Sequence, residues 1–315
     1  MNGTFAFLFP GQGSQSVGMG RDLAENFAAA KAVFDEADEA LGYSLSSLCF
    51  DGPEDQLKLT EYTQPAILTA SIAAARVLAE HGIVPSVAAG HSLGEYSAHV
   101  AAGTLSLADA VRTVRARGQY MQQAVPPGKG GMAAILGLNP ERIADLCSQA
   151  SDELNAIVTP ANLNAHEQTV ISGDAAAVNR ASELCKQAGA KRCVPLPVSA
   201  PFHCRLMEPA ADKLAADLEA IVFNDPAFPV ASNVDARFVS RGTEIRDCLV
   251  RQVTGAVRWT ECIQLLRSAD ETTTYIEVGP GRVLCGLLRQ IDRNVPALNV
   301  EDSASLHKTL AALSA

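Results

Sequence analysis

No apolar run in the 315 residues is long enough to cross a bilayer as a helix, which excludes a helical membrane protein. No Cys-x-x-Cys pair occurs, and no histidine spacing suits zinc. Cys49, Cys147, Cys185, Cys193, Cys204, Cys248, Cys262 and Cys285 are scattered, so a reduced, cytoplasmic protein without a metal is expected. Basic runs and arginine–aromatic stripes are also missing. With a formal charge of -10 and a pI near 5.1, this argues against nucleic acid and against a membrane surface as partners. An acidic protein partner would need a local basic patch. The apolar Phe5-Ala6-Phe7-Leu8-Phe9 lacks a basic leader and reads as a first strand, not a signal peptide.

What is present is a 48% hydrophobic chain, enough for one large core or for a large domain carrying a smaller insert. Its organising stretch is Gly90-His91-Ser92-Leu93-Gly94-Glu95. Residues 83–89 are short and apolar, as a buried strand is; residues 93–102 have helical spacing. Ser92 therefore falls at a strand-to-helix corner, where the following helix directs free N–H groups toward whatever the hydroxyl attacks. Gly-x-Ser-x-Gly has a steric reason there, because the two flanking positions are brought together.

The rest of the chain alternates. A strand over 4–9 ends in Pro10-Gly11-Gln12-Gly13-Ser14-Gln15-Ser16, an incomplete dinucleotide fingerprint that is better suited to donating a backbone N–H. No cofactor is expected. Helices are predicted over 22–41 and 66–81, the second opened by Gln64-Pro65. Ser106 and Asp109 have capping-box spacing for a helix running to about 125. Arg117 lies at the edge of its apolar stripe, and periodicity alone favours a guanidinium that snorkels to solvent.

Pro126-Pro127-Gly128-Lys129-Gly130-Gly131 breaks the composition. Beyond it a strand (132–138), a helix (140–150), two strands (156–162 and 168–172) joined by an Asn-His turn, a helix (174–188) and a strand (191–198) give the order βαββαβ, that of a ferredoxin-like unit. Residues 127–199 then form a small inserted domain, and 1–126 with 200–315 a large α/β domain. The chain returns through Ser199-Ala200-Pro201-Phe202-His203. Helices at 207–222, 244–252 and 260–269, strands at 229–234 and 273–278, and a C-terminal helix after Gly279-Pro280-Gly281 complete a mostly parallel sheet covered on both faces.

Ser92 needs a base. Of the six histidines, His91 should face away from Ser92, His81 and His307 lie near helix ends, His99 is two turns along the elbow helix, and His166 belongs to the small domain. His203 remains, either as the base or as a hydrogen-bonded loop histidine. Elbow hydrolases usually place an acid between serine and histidine in chain order. None stands out here, which weakens a plain esterase reading.

At this point the chain resembles the malonyl-CoA:acyl-carrier-protein transacylases of fatty acid synthesis and the acyltransferase domains of polyketide synthases. The resemblance covers nearly the whole chain. It rests on Phe9-Pro10-Gly11-Gln12-Gly13-Ser14-Gln15, Thr63-Gln64-Pro65-Ala66, the Ser92 elbow, Arg117 with Met121, and Gly131-Met132-Ala133-Ala134. Further along it rests on Asn162 with Asn164, Pro201-Phe202-His203, Gln252 with Val257-Arg258-Trp259, and Glu277-Val278-Gly279-Pro280-Gly281.

The resemblance implies an α/β-hydrolase-like large domain and a ping-pong acyl transfer from malonyl-CoA to acyl carrier protein, by a monomer. It implies Ser92 as nucleophile, His203 as base, and Gln12 and Leu93 as backbone oxyanion donors. Gln252 would orient the imidazole through its carbonyl, with Asn162 in support, and Arg117 would grip the malonyl carboxylate. Gly255-Ala256 stands where Asn-Pro is frequent in the family, and Phe202 resembles the form associated with unbranched malonyl substrates. A serine hydrolase and a carrier-binding module without catalysis are the competing classes.

Overall fold

The computed structural model describes residues 4–198, 200–270 and 273–314; Ser199, at the expected edge of the small domain, lies outside the described residues. β1 (Phe5–Phe9) is buried along its whole length. After it come α1 (Arg21–Asn26), α2 (Ala28–Leu41), α3 (Leu45–Asp51), α4 (Glu54–Leu57) and α5 (Thr60–Glu80). β2 (Val87–Gly90) leads into α6 (Leu93–Ala101) and α7 (Leu107–Gln123). Then follow β3 (Gly130–Leu136), α8 (Pro140–Leu154), β4 (Val158–Ala165), β5 (Gln168–Asp174), α9 (Ala175–Gln187) and β6 (Arg192–Pro195). The chain closes with α10 (Glu208–Glu219), β7 (Val230–Ala231), β8 (Phe238–Val239), α11 (Gly242–Gln252), α12 (Trp259–Ala269), β9 (Thr274–Val278), α13 (Val283–Ile291), β10 (Ala297–Val300) and α14 (Ser303–Leu313).

Among the described residues two sheets form. One has the order β10-β9-β1-β2-β7-β8 and is parallel except where β7 meets β8. Phe5, Phe7 and Phe9 of β1 pack on the side of α2, α5 and α7, whereas Ala6 and Leu8 face Trp259, Ile263 and Leu288 of α12 and α13. This alternation makes β1 a core strand with helices on both faces. Each fully buried Leu or Phe contributes about 1.5–3 kcal/mol relative to exposure. The second sheet, β4-β5-β3-β6, is antiparallel throughout and packs on α8 and α9 through Ile135, Ile143, Ile171 and Leu184. Met132, Ala161 and Val170 join the large core instead.

Several boundaries differ from the sequence expectation for local reasons. The helix expected over 22–41 is broken at Phe27, which is extended (φ -131°, ψ 121°) and sets its ring edge-on to His81. α5 begins at Thr60, before Pro65, and continues through the proline. Thr63 there donates its hydroxyl to Leu57 O, and fifteen of the helix's 21 residues are buried, so packing outweighs the local proline cost. The strand expected from 83 starts at Val87: Val84 is exposed, and Ser86 N–H reaches Phe5 O before the ladder begins. The hairpin of the second sheet turns at His166 and Glu167, since β4 runs on to Ala165. β7 is two residues long, because the chain leaves the ladder at Ser232 to return along β8. β10 and α14 follow the expected final helix; Asp302 caps α14 with Ser305 instead of Glu or Gln. Among the described residues no helix is long and apolar enough to cross a membrane.

Candidate active site

β2 ends in Gly90, and Ser92 is the N-cap of α6 with φ 51° and ψ -101°. A non-glycine residue with positive φ is strained by about 1–3 kcal/mol, and neighbours hold it there. A Cβ on Gly90 would lie 1.9 Å from the carbonyl of Gly94, and one on Gly94 would lie 2.0 Å from Phe9 O. Gly90 is thus required by contact across the elbow, and Gly94 by the close approach of the end of β1. Asn233, just after β7, braces it: its Oδ1 accepts from Ser92 N–H at 2.7 Å, and its Nδ2 donates to Gly90 O at 2.7 Å.

The loop after β6 carries His203, buried and also at positive φ (60°). Its Nε2 lies 2.7 Å from Ser92 Oγ and its Nδ1 2.8 Å from Gln252 O. A carbonyl can only accept, so Nδ1 carries the proton and Nε2 presents a lone pair to the serine hydroxyl. Burial and the neighbouring Arg117 charge pull the imidazole down to about 3. The ring is therefore held in its neutral form, with the Nε2 lone pair directed at Ser92 Oγ.

Arg117 on α7 does not snorkel. It is buried at 2% exposure, because α7 packs against α5 with Gly118 pressed on Thr60 O and Glu61. Nη1 donates to Gln64 Oε1 at 2.9 Å, and Nη2 to Gln252 Oε1 at 2.8 Å and Ser92 Oγ at 3.2 Å. Tyr96 lies under the guanidinium at 5.6 Å. Burial lowers its pKa, yet a guanidinium stays charged in proteins. Its Nε is buried with no hydrogen-bond partner among the described residues, and its partners are amide and hydroxyl oxygens. The result is a cation beside Ser92 Oγ with spare donor capacity, suited to an anionic group.

Ser92, His203, Arg117, Gln12, Leu93 and Asn162 line one cavity, with Met121, Met132, Leu196, Val198 and Phe202 as its apolar wall. Gln12 lies in the loop after β1, where a Cβ on the preceding Gly11 would come within 2.4 Å of His91 O. Leu93 opens α6, so its N–H is among the helix's N-terminal donors. Asn162 sits where β4 meets the chain after α11, through Val257 N–H to Ala161 O at 2.8 Å and Leu163 N–H to Val257 O at 2.9 Å. Gly255 fits that crossing because a Cβ there would lie 2.7 Å from Val234. His91 turns away from the serine, bonding Asn164 Oδ1 at 2.8 Å beside Trp259.

Three participants had no role in the sequence reading: Asn233, Gln64 and Glu95. Each is polar yet buried. The available signal was position alone, a strand end for Asn233 and quoted motifs for Gln64 and Glu95.

An acyl transferase domain model matches residues 6–309. The chain is 50% identical over 308 residues to the malonyl CoA-acyl carrier protein transacylase of Bacillus subtilis (strain 168), covering 98% of this chain and 96% of that protein. Among solved structures, it is similar to an acyl carrier protein S-malonyltransferase from Vibrio cholerae, with a TM-score of 0.94 and 50% identity over 97% of this chain and 99% of that one. It is equally similar, with a TM-score of 0.94 and 48% identity over 98% and 99% of the two chains, to a malonyl-transacylase in complex with a type II PKS acyl-carrier protein.

Proposed function

Because the chain belongs to the acyl transferase domain family, among the malonyl CoA-acyl carrier protein transacylases, we propose that it moves malonyl groups in fatty acid biosynthesis. The donor is malonyl-CoA and the acceptor the phosphopantetheine thiol of acyl carrier protein. The observation that carries this reading is the buried Arg117 guanidinium 3.2 Å from Ser92 Oγ, a cation placed for an acyl group that ends in a carboxylate.

The transfer is ping-pong. Ser92 Oγ attacks the thioester carbonyl as His203 Nε2 takes its proton; the imidazolium is held by Gln252 O and returns that proton to the leaving CoA thiolate. The malonyl-serine ester is then attacked by the carrier thiol, whose proton passes to His203 and on to Ser92 Oγ as the ester breaks. Backbone N–H groups of Gln12 and Leu93 hold the oxyanion in both halves, and Asn162 supports the site. Where a triad has its acid, a main-chain carbonyl, Gln252 O, faces His203 Nδ1 at 2.8 Å. Arg117 grips the malonyl carboxylate through parallel charge-assisted bonds, and its orphaned Nε–H supports this role.

The same reading divides the chain into an α/β-hydrolase-like domain (1–126 and 200–315) and a ferredoxin-like domain (127–199), supported by the β4-β5-β3-β6 order, in a cytoplasmic monomer. A second reading, service to a polyketide carrier, is favoured by the likeness to the transacylase bound to a type II PKS carrier protein.

Intact-mass spectrometry of the protein with malonyl-CoA, beside Ser92→Ala, tests the function. The expected result is one malonyl adduct that needs Ser92 and disappears on adding phosphopantetheinylated carrier protein. Free malonate accumulating without an adduct would instead indicate a hydrolase. Comparing fatty acid and polyketide carriers as acceptors separates the two transferase readings.

A further inference from the structure

Glu95 lies in the first turn of α6, three residues after the nucleophile, and is fully buried. A buried carboxylate is costly unless paired. Oε2 accepts from Gln252 Nε2 at 2.7 Å and from Asn233 N–H at 3.1 Å, whereas Oε1 has no partner among the described residues. Desolvation outweighs these bonds and lifts its pKa to about 7. Its link to the nearby guanidinium of Arg117 is indirect, through the Gln252 amide.

That amide has two unlike ends, and its surroundings accept one orientation. Nε2 faces two acceptors, Ser92 O at 2.9 Å and Glu95 Oε2 at 2.7 Å, and Oε1 faces a donor, Arg117 Nη2 at 2.8 Å. Turned over, it would set NH2 against the guanidinium and oxygen against a carbonyl and a carboxylate, losing all three bonds. Of the two acceptors, the carboxylate makes the stronger bond.

We propose that Glu95 is a positioning residue for acyl-group selection: it fixes which end of the Gln252 amide faces Arg117, and so aims the guanidinium at the substrate carboxylate. The proposal rests on the reading of Arg117 as the malonyl clamp. The interposed glutamine is the point of the arrangement. A carboxylate in direct contact with Arg117 would occupy the donors that the substrate needs, whereas an amide oxygen orients the guanidinium and leaves its charge in place. When ionised, Glu95 holds the compensating charge one side chain away.

The test compares kcat and KM for malonyl and acetyl transfer from their CoA thioesters, normalised to the fraction of Ser92 that can be acylated. Wild type, Arg117→Ala, Glu95→Ala and Glu95→Gln are measured together. Glu95→Ala should raise KM for malonyl-CoA and lower the malonyl-over-acetyl preference about tenfold, the loss of one charge-assisted bond. Glu95→Gln keeps an acceptor oxygen and should lose only about threefold, since a neutral bond replaces a charged one. Equal losses on malonyl and acetyl in Glu95→Ala would overturn the proposal. If that variant does not fold, an unchanged preference in Glu95→Gln would do so. A wild type that forms no malonyl-serine, or an Arg117→Ala that keeps its malonyl preference, brings down the functional reading and this proposal with it. Either is distinct from the Glu95 variants failing alone.

Discussion

Arg117 donates from Nη2 to Ser92 Oγ at 3.2 Å, so the buried cation and the serine hydroxyl are in direct contact. The contact engages one lone pair of that oxygen, and on the proposed reading a malonyl carboxylate at the guanidinium competes for the same donor.

Arg117→Ala should therefore cut kcat/KM for malonyl transfer by about 100-fold or more, since two charge-assisted bonds of about 1.5–3 kcal/mol each are lost. Acetyl transfer should hold or rise, because Ser92 Oγ is released. Arg117→Lys should recover little, a lysine being unable to make paired planar bonds. Parallel kinetics with both CoA thioesters check this; equal loss on both would remove the clamp role.

Asn233→Ala should slow malonyl and acetyl transfer alike. It removes the acceptor for Ser92 N–H and the donor to Gly90 O, so the strained elbow relaxes without any change at Arg117. A fall of about 1–3 kcal/mol in unfolding free energy is expected for the groups left unpaired, read from urea melts beside the rates of Ser92 acylation.

Two glycines should respond in opposite directions. Gly90→Ala would drive a Cβ into the backbone of Gly94 at 1.9 Å, and this variant should lose several kcal/mol or fail to accumulate as folded protein. Gly286, inside α13, has nothing within 4 Å of an added Cβ, so Gly286→Ala should stabilise by about 0.5–1 kcal/mol. Thermal melts distinguish the two.

His99 of α6 is fully buried and neither ring nitrogen has a partner among the described residues; burial pulls it down to about 3. Between this value and about 6.5, the usual unfolded value, the unfolded chain binds a proton that the folded chain refuses. Its contribution to stability is present above pH 6.5 and is lost as the pH falls toward 3. Each such histidine costs about 1.4 kcal/mol per pH unit in that window. Denaturant melts at pH 7.5 and 5.5 should therefore show His99→Leu gaining on wild type by more than 1 kcal/mol at the lower pH. A pH-independent difference would mean that the imidazole takes up its proton in the fold at the same pH as in the unfolded chain.

Much of this was legible in the order of residues. The Ser92 corner was readable because strand, glycine and helix signals meet within a few positions, and His203 because the other histidines were placed elsewhere. The order βαββαβ was readable because its turns are marked by Gly, Pro and Asn. The burial of Arg117 was not visible in periodicity, which assigns an edge residue to solvent; α5 crossing over Gly118 covers it. Asn233, Gln64 and Glu95 make contacts between residues 53 to 157 positions apart, and no local spacing reports such pairs. The break at Phe27 and the run of α5 through Pro65 are likewise tertiary choices that override local propensity.

The third member of the Ser92–His203 pair is a main-chain oxygen, and this has a genetic consequence. A triad acid can be deleted by one codon change; the carbonyl of residue 252 is present whichever amino acid is encoded there. On the proposed reading, substitution at Gln252 loosens the hold on Arg117 while leaving the imidazole's support in place, so acyl preference is free to drift in descendants ahead of acylation itself. What must be inherited for the support of His203 is the path of the chain at the end of α11.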